Sequence, residues 1–243
     1  MDYSLASQQL AGSLARLEQV GDTGAVRHWY VASQPALILG RGQKPEQINL
    51  AACKKYGIQV LNRFSGGTAV LVGTHFLSLD VALPPDHPLN LSDVTESYRW
   101  FGETWSNALK SLHILTEMVI IEKARRQTVL DRSPEFAPHL ALLKQVCFGT
   151  LSPYEITVQG RKLVGLSQLR RKQGTLLQAG IHLTFDRELM AELVLSEPEH
   201  RESLCRLLEE RTVALQEISG NPKSEVQEIV TAFDTALNNL QNF

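Results

Sequence analysis

With 243 residues, 43% of them apolar and 21% charged, and a net charge of −2, the chain has the make-up of one globular domain with room for a helical appendage. No apolar run approaches the ~20 residues of a membrane span, and the mean hydropathy is −0.12. The charge balance argues against a general nucleic-acid binder. Cys53, Cys147 and Cys205 lie far apart, with no Cys-x-x-Cys pair and no disulfide framework. The first residues, Met1-Asp2-Tyr3-Ser4, lack the basic and apolar regions of a signal peptide. A reduced, cytoplasmic setting is therefore expected.

In chain order, Leu5 to Val20 reads as an amphipathic helix with Leu10, Leu14 and Leu17 on one face. Arg27–Ala32 and Ala36–Leu39 read as short strands split by Pro35. Pro45–Tyr56 suits a short helix stopped by Gly57, and strands follow over Ile58–Arg63, Ala69–Val72 and Phe76–Leu83. Ser92 and Asp93, with Glu96 placed for a capping box, predict a helix from Ser92 to Leu112. Glu117–Gln145 gives no clear periodicity, and Asp131–Pro134 reads as a loop. Tyr154–Gln159 alternates apolar and polar residues, as a half-buried strand does. Gly160-Arg161 offers a tight hairpin turn, Lys162–Leu169 the return strand, and Thr175–Thr184 a third. Helices dominate the rest. Val226, Ile229, Val230, Phe233, Leu237 and Leu240 form a stripe at helical spacing, expected to pack on the core. The predicted class is α/β (α+β), a mixed and largely antiparallel sheet flanked by helices with a helical C-terminal tail.

Several familiar chemistries fail on spacing. Gly40-Arg41-Gly42 lacks the third glycine of a dinucleotide loop, and no phosphate-cradling Gly-x-x-x-x-Gly-Lys-Ser/Thr occurs. The seven histidines show no metal-ligand spacing, so no metal site is expected. Gly165-Leu166-Ser167 begins like a nucleophile elbow but lacks the closing glycine.

Two segments remain. Arg63-Phe64-Ser65-Gly66-Gly67-Thr68-Ala69-Val70 ends a strand in a basic residue and two glycines, so the backbone can approach a ligand closely. Taken alone, it also suits a strand–bulge–strand corner. The second segment runs from Cys147-Phe148 through Tyr154-Glu155, Gly160-Arg161-Lys162, Gly165 and Gln168 to Gln178-Ala179-Gly180. Cysteine is intrinsically nucleophilic, and a lysine ammonium is a compact charge able to hold a carbonyl oxygen in a dry pocket.

The first segment resembles the Arg-Arg-x-Ser/Thr-Gly-Gly-x-Ala-Val signature of the lipoate–protein ligase A and octanoyltransferase family, with Asn62 in place of the first arginine. Lys162, Gly165 and Gln168 resemble that family's Lys-x-x-Gly-Ser-Ala-Gln block, with Leu166-Ser167 in place of Ser-Ala. Cys147 stands where the single-domain, cysteine-dependent octanoyltransferases carry theirs. The resemblance covers roughly residues 26–185 and implies a biotin/lipoate protein ligase core. It further implies a catalytic domain over residues 1–185 and a helical extension over 186–243 packed on it. The implied catalytic residues are Cys147 and Lys162. The implied substrate-binding residues are Arg63, Ser65, Gly66, Gly67, Thr68, Ala69, Gly165, Gln168 and Gly180.

The activity implied is movement of an octanoyl (or lipoyl) group from octanoyl-acyl carrier protein to a lysine of a lipoyl domain or glycine-cleavage H protein, through a thioester on Cys147. That route needs no cofactor. An ATP- and Mg2+-dependent lipoate–protein ligase working through lipoyl-AMP is the alternative, and a non-catalytic lipoate-binding homologue is another. Residues 184–243 are too few for the ligases' full accessory domain, which favours the transferase. Relatives show His-Gly where this chain has Ala179-Gly180, leaving the general base unassigned; His182 would share a strand face with Gly180. Arg161, Arg170, Arg171 and Lys172 are expected to form one basic cluster, either to dock an acidic carrier or to protect a sheet edge.

Overall fold

The computed structural model describes residues 1–219 and 222–240. Its centre is a six-stranded antiparallel sheet of order β1-β5-β9-β8-β7-β6: β1 is Val26–Val31, β5 Phe76–Leu83, β9 Gly174–His182, β8 Arg161–Arg171, β7 Ile156–Val158 and β6 Glu117–Met118. A three-stranded sheet lies over part of it, with β2 (Ala36–Leu39) parallel to β3 (Gln59–Asn62) and antiparallel to β4 (Val70–Val72).

Because side chains alternate along a strand, the large sheet has two unlike faces. Trp29, Val31, Leu77, Leu79, Val81, Leu177 and Ile181 pack on α3 (Arg99–Ser111) and α8 (Pro222–Asn238), among Phe101, Trp105, Ile229, Phe233 and Leu237. The helical stripe near the C-terminus thus completes the main core, with Phe233 edge-on to Trp29 and Phe101. The alternate residues face α1 (Ala6–Thr23) and the small sheet. The small sheet's outer face packs on α2 (Leu50–Lys55), α6 (Arg187–Val194) and α7 (Pro198–Arg211).

Several local expectations shift. The helix expected from Ser92 begins as α3 at Arg99, after a 3-10 turn over Glu96–Tyr98. Asp93 does act as a cap, its carboxylate accepting from the Thr95 and Glu96 N–H groups, but it caps this turn. Glu96 is committed to the Tyr154 hydroxyl and Arg99 rather than to a capping box. Over 45–56 a 3-10 turn precedes α2, which starts at an Asn49 cap. The unreadable stretch holds β6 and two helices, α4 (Ile121–Asp131) and α5 (Ala137–Leu143). The β7–β8 hairpin turns at Gln159-Gly160, both at positive φ, one residue earlier than expected. Among the described residues no helix is long and apolar enough to cross a membrane.

Candidate active site

The two segments singled out in the sequence meet between the sheets. Ala69 accepts from the Cys147 N–H (2.9 Å) and donates to the Gln145 carbonyl (3.2 Å), stitching the glycine loop to the short turn that begins at Cys147. Ala69 is fully buried at this seam. Arg63 lies under the loop, its guanidinium donating to the carbonyls of Gly66 (2.9 and 3.0 Å) and Thr68 (2.9 Å). It is only 8% exposed, and its Nη2 stands 3.7 Å from the Cys147 sulfur. Gly67 has φ +90, and a Cβ there would fall 2.5 Å from Arg63 Nη2. Gly40, which belongs to no dinucleotide loop, is required as well: a Cβ there would meet the Gly67 carbonyl at 1.8 Å.

Lys162 is not free at the mouth of the site. Its ammonium donates to the carbonyls of Cys147 (3.0 Å) and Thr150 (3.2 Å) and pairs with Glu155 Oε1 (2.5 Å), and the residue is 1% exposed. Those three partners match the three protons of an ammonium. The Glu155 carboxylate also accepts from the N–H groups of Ser152 and Leu166. Burial pushes this carboxyl above its ordinary range, against the pull of the ammonium and these donors. Lys162 therefore fixes the Cys147–Thr150 turn from beneath.

Two hollows join at Cys147. One is apolar, lined by Ile38, Val70, Val72, Phe76, Phe148 and Leu10 over the backbones of Gly165 and Gly180. The other is an open, polar cleft bounded by Gly66, Gly67, Thr68, Tyr98, Lys162 and Gln168. Cys147, Leu166 and Ser167 line both. The glycines of β8 and β9 stand opposite one another and make room for rings: a Cβ at Gly165 would lie 3.2 Å from Phe148, and one at Gly180 would lie 2.2 Å from Phe76.

Ser65 points inward, its hydroxyl donating to Gln178 Oε1 (2.8 Å), with Ser167 3.3 Å away. Gln178 in turn donates to Asp80 (3.0 Å), a fully buried carboxylate held by Arg16 (3.0 Å) and Ser13. Asp80 carried no sequence signal, since it sits in an apolar strand and meets its partners only through register.

Gln168 acts at the rim. Its amide donates to the Val94 carbonyl (2.7 Å) and accepts from Arg170 (2.9 Å), while Arg170 donates to the Leu91 carbonyl (2.7 Å). Together they hold the 91–97 loop over the cleft. The expected basic cluster divides in two. Arg161 and Arg170 stand at opposite ends of β8, roughly 30 Å apart at strand rise, and Arg161 pairs with Glu217 (3.1 Å). The cleft rim instead carries Arg41, Lys144 and Arg170.

His182 does share the strand face of Gly180, but it is sealed off. It is 1% exposed, stacked on Phe185 and packed against Phe76 and Phe148, with Nδ1 unpartnered. Burial drives its pKa well below the usual histidine value, and no contact ties it to the Cys147 sulfur.

Residues 6–238 match the model of the lipoyl protein ligase A/B catalytic domain. The octanoyltransferase LipM of Geobacillus kaustophilus is 32% identical over 208 residues, spanning 84% of this chain and 70% of the relative. That of Brevibacillus brevis is 28% identical over 224 residues, spanning 91% and 77%. In fold, the chain is similar to a bipartite lipoate protein ligase from Thermoplasma acidophilum (TM-score 0.69, 17% identity, 98% and 83% covered). It is also similar to lipoate-protein ligase A bound with ATP (TM-score 0.65, 18% identity, 98% and 85% covered).

Proposed function

The chain belongs to the lipoyl protein ligase A/B catalytic-domain family, and we propose that it is an octanoyltransferase acting on lipoyl-domain proteins through an acyl-enzyme on Cys147. The observation that carries this reading is the position of Cys147 at the junction of an apolar hollow and an open polar cleft. An octanoyl chain fills the first, and the thioester donor and then the acceptor lysine enter by the second.

In the first step the Cys147 sulfur attacks the donor thioester carbonyl, a new carbon–sulfur bond forms, and the donor thiol leaves with the cysteine proton. In the second, the acceptor amine attacks the acyl-cysteine, an amide forms, and the thiol is restored. Both steps balance without ATP or Mg2+. Negative charge that builds on the sulfur faces the Arg63 guanidinium, in a cleft that Gly66 and Gly67 also line. Lys162, neutralised by Glu155, places Cys147 through its main-chain carbonyl. The donor is octanoyl-acyl carrier protein, and the acceptor a lipoyl domain or H protein. The cationic rim of Arg41, Lys144 and Arg170 suits an acidic surface on either partner.

Mass measurement after incubation with octanoyl-acyl carrier protein tests the thioester. The wild-type protein is expected to gain one octanoyl group that hydroxylamine removes. Cys147→Ser is expected to gain none, and Cys53→Ser and Cys205→Ser to behave as wild type. An adduct that persists in Cys147→Ser removes the cysteine from the mechanism. Pyrophosphate release that needs lipoate and Mg-ATP would identify the ligase chemistry instead.

A further inference from the structure

The register of the large sheet lays a trough across its strands. Tyr30 on β1 stands opposite Ser78 on β5, Ser78 opposite Gly180 on β9, and Gly180 opposite Gly165 on β8. These four residues share one face and one row, and from β8 to β1 their side chains are hydrogen, hydrogen, hydroxymethyl and phenol. The row begins beside Cys147, carries the Phe148 and Phe76 rings over its two glycines, and ends at the Tyr30 ring. All four residues line the apolar hollow.

We infer that Tyr30 is the end wall that measures the acyl chain, so that straight chains of about eight carbons fit and longer ones do not. This rests on the acyl-transfer reading of the site. The scale agrees. Three strand spacings span about 14 Å; less the thickness of the Tyr30 ring, that suits an eight-carbon zigzag built from bonds of about 1.5 Å.

The wall is held rigidly. The Tyr30 hydroxyl donates to Asp80 Oδ1 (3.3 Å), and Asp80 is fixed by Arg16, Ser13 and Gln178. From the roof, Gln9 of α1 donates to the Val31 carbonyl (3.1 Å) next to Tyr30 and to the Ser4 carbonyl (3.0 Å), closing the corner. The Tyr30 hydroxyl, Asp80, Ser13 and Gln178 are bonded to one another, so an apolar chain meets few unsatisfied polar groups at this end. Beyond Tyr30 the outer edge of β1 pairs with Asp2, whose backbone bonds Trp29 and Val31. Removing the ring opens the trough toward this N-terminal segment rather than into the main core.

Binding of free straight-chain acids of six to fourteen carbons, followed by calorimetry, reads the trough without turnover. Failure of acyl transfer in the preceding test therefore leaves this measurement intact. Wild-type affinity is expected to peak near eight carbons and to fall about tenfold or more once the chain overruns the wall. Tyr30→Ala is expected to move the peak at least two carbons longer. Tyr30→Phe keeps the ring and is expected to keep the peak. Ser78→Val, which fills the floor midway, is expected to move it to shorter chains and supplies an opposite shift should Tyr30→Ala fold poorly. A wild-type profile without a maximum overturns the inference, as does a peak that stays in place in Ser78→Val. A peak that moves equally in Tyr30→Phe and Tyr30→Ala assigns the limit to the Asp80 hydrogen bonds and also overturns it.

Discussion

The two faces of the six-stranded sheet are written by alternate residues of the same strands, yet they have opposite character. On β5, Leu77, Leu79, Val81 and Leu83 enter a core of large apolar side chains, while Phe76, Ser78 and Asp80 face the apolar hollow and its polar support. On β1, Trp29 and Val31 are set against His28 and Tyr30 in the same way. One face holds the fold by area buried. The other gives up side-chain volume at Gly165, Gly180 and Ser78 to make a trough, and the buried charges it keeps are paired. Function here is placed on a sheet whose stability is supplied from behind.

Lys162 is where this separation breaks, and it carries the largest expected effect on both sides. Lys162→Met leaves Glu155 buried without its cation, which costs about 3–5 kcal/mol for a pair this enclosed, and it loosens the carbonyl of Cys147. Stability to denaturant and the rate of acyl-adduct formation should both fall sharply. In Lys162→Met/Glu155→Gln most of the stability should return while adduct formation stays slow, since the hold on the Cys147 turn is still absent. A double variant as unstable as the single one would show that the ion pair does not govern the stability of this region. On the opposite face, Phe233→Ala removes a ring packed against Trp29, Phe101 and Trp105 and should cost about 3–5 kcal/mol. The protein that remains folded should bind octanoate as wild type does. A changed chain-length preference in Phe233→Ala would mean that the core face also shapes the trough.

What could be read from sequence follows the same division. The glycine loop, Cys147 and Lys162 lie in compact segments whose spacing is itself the signal, and the structure brings them together through the Ala69 and Lys162 bonds to Cys147. The strand within Tyr154–Gln159 was legible from alternation, and most others as short runs bounded by glycine or proline. Tyr30 and Asp80 were not marked, because their importance depends on which residues of β5, β9 and β8 stand opposite, across 98 positions of chain between Asp80 and Gln178. The segment from Ser92 misled because Asp93 alone of the expected caps accepts backbone N–H groups, and it serves a single turn; what holds the segment is Gln168 and Arg170 from a distant strand. The grouping of Arg161 with Arg170 overlooked strand rise, which carries nine residues along β8 far across the molecule.

The smallest effect tests whether a polar residue on the trough face must take part in the chemistry. His182 lies on that face but is enclosed by Phe76, Phe148 and Phe185, with Nδ1 unpartnered. Its protonation is suppressed by burial, so the unfolded chain takes up a proton near pH 6.5 that the folded chain refuses. This contribution to stability is present above pH 6.5 and is lost as the pH falls toward the depressed folded value, at about 1.4 kcal/mol per pH unit. His182→Phe keeps a ring among rings and removes both the proton site and the unsatisfied nitrogen. It should be at least as stable as wild type at pH 7.5, by up to about 1 kcal/mol, and should lose less stability between pH 6.5 and 5.5. Adduct formation at pH 7.5 should persist, because nothing links His182 to the Cys147 sulfur. Parallel stability slopes for the two proteins over that interval would show that His182 is protonated in the fold. Loss of the adduct with stability retained would make it the missing base and move it from the packing of the trough into its chemistry.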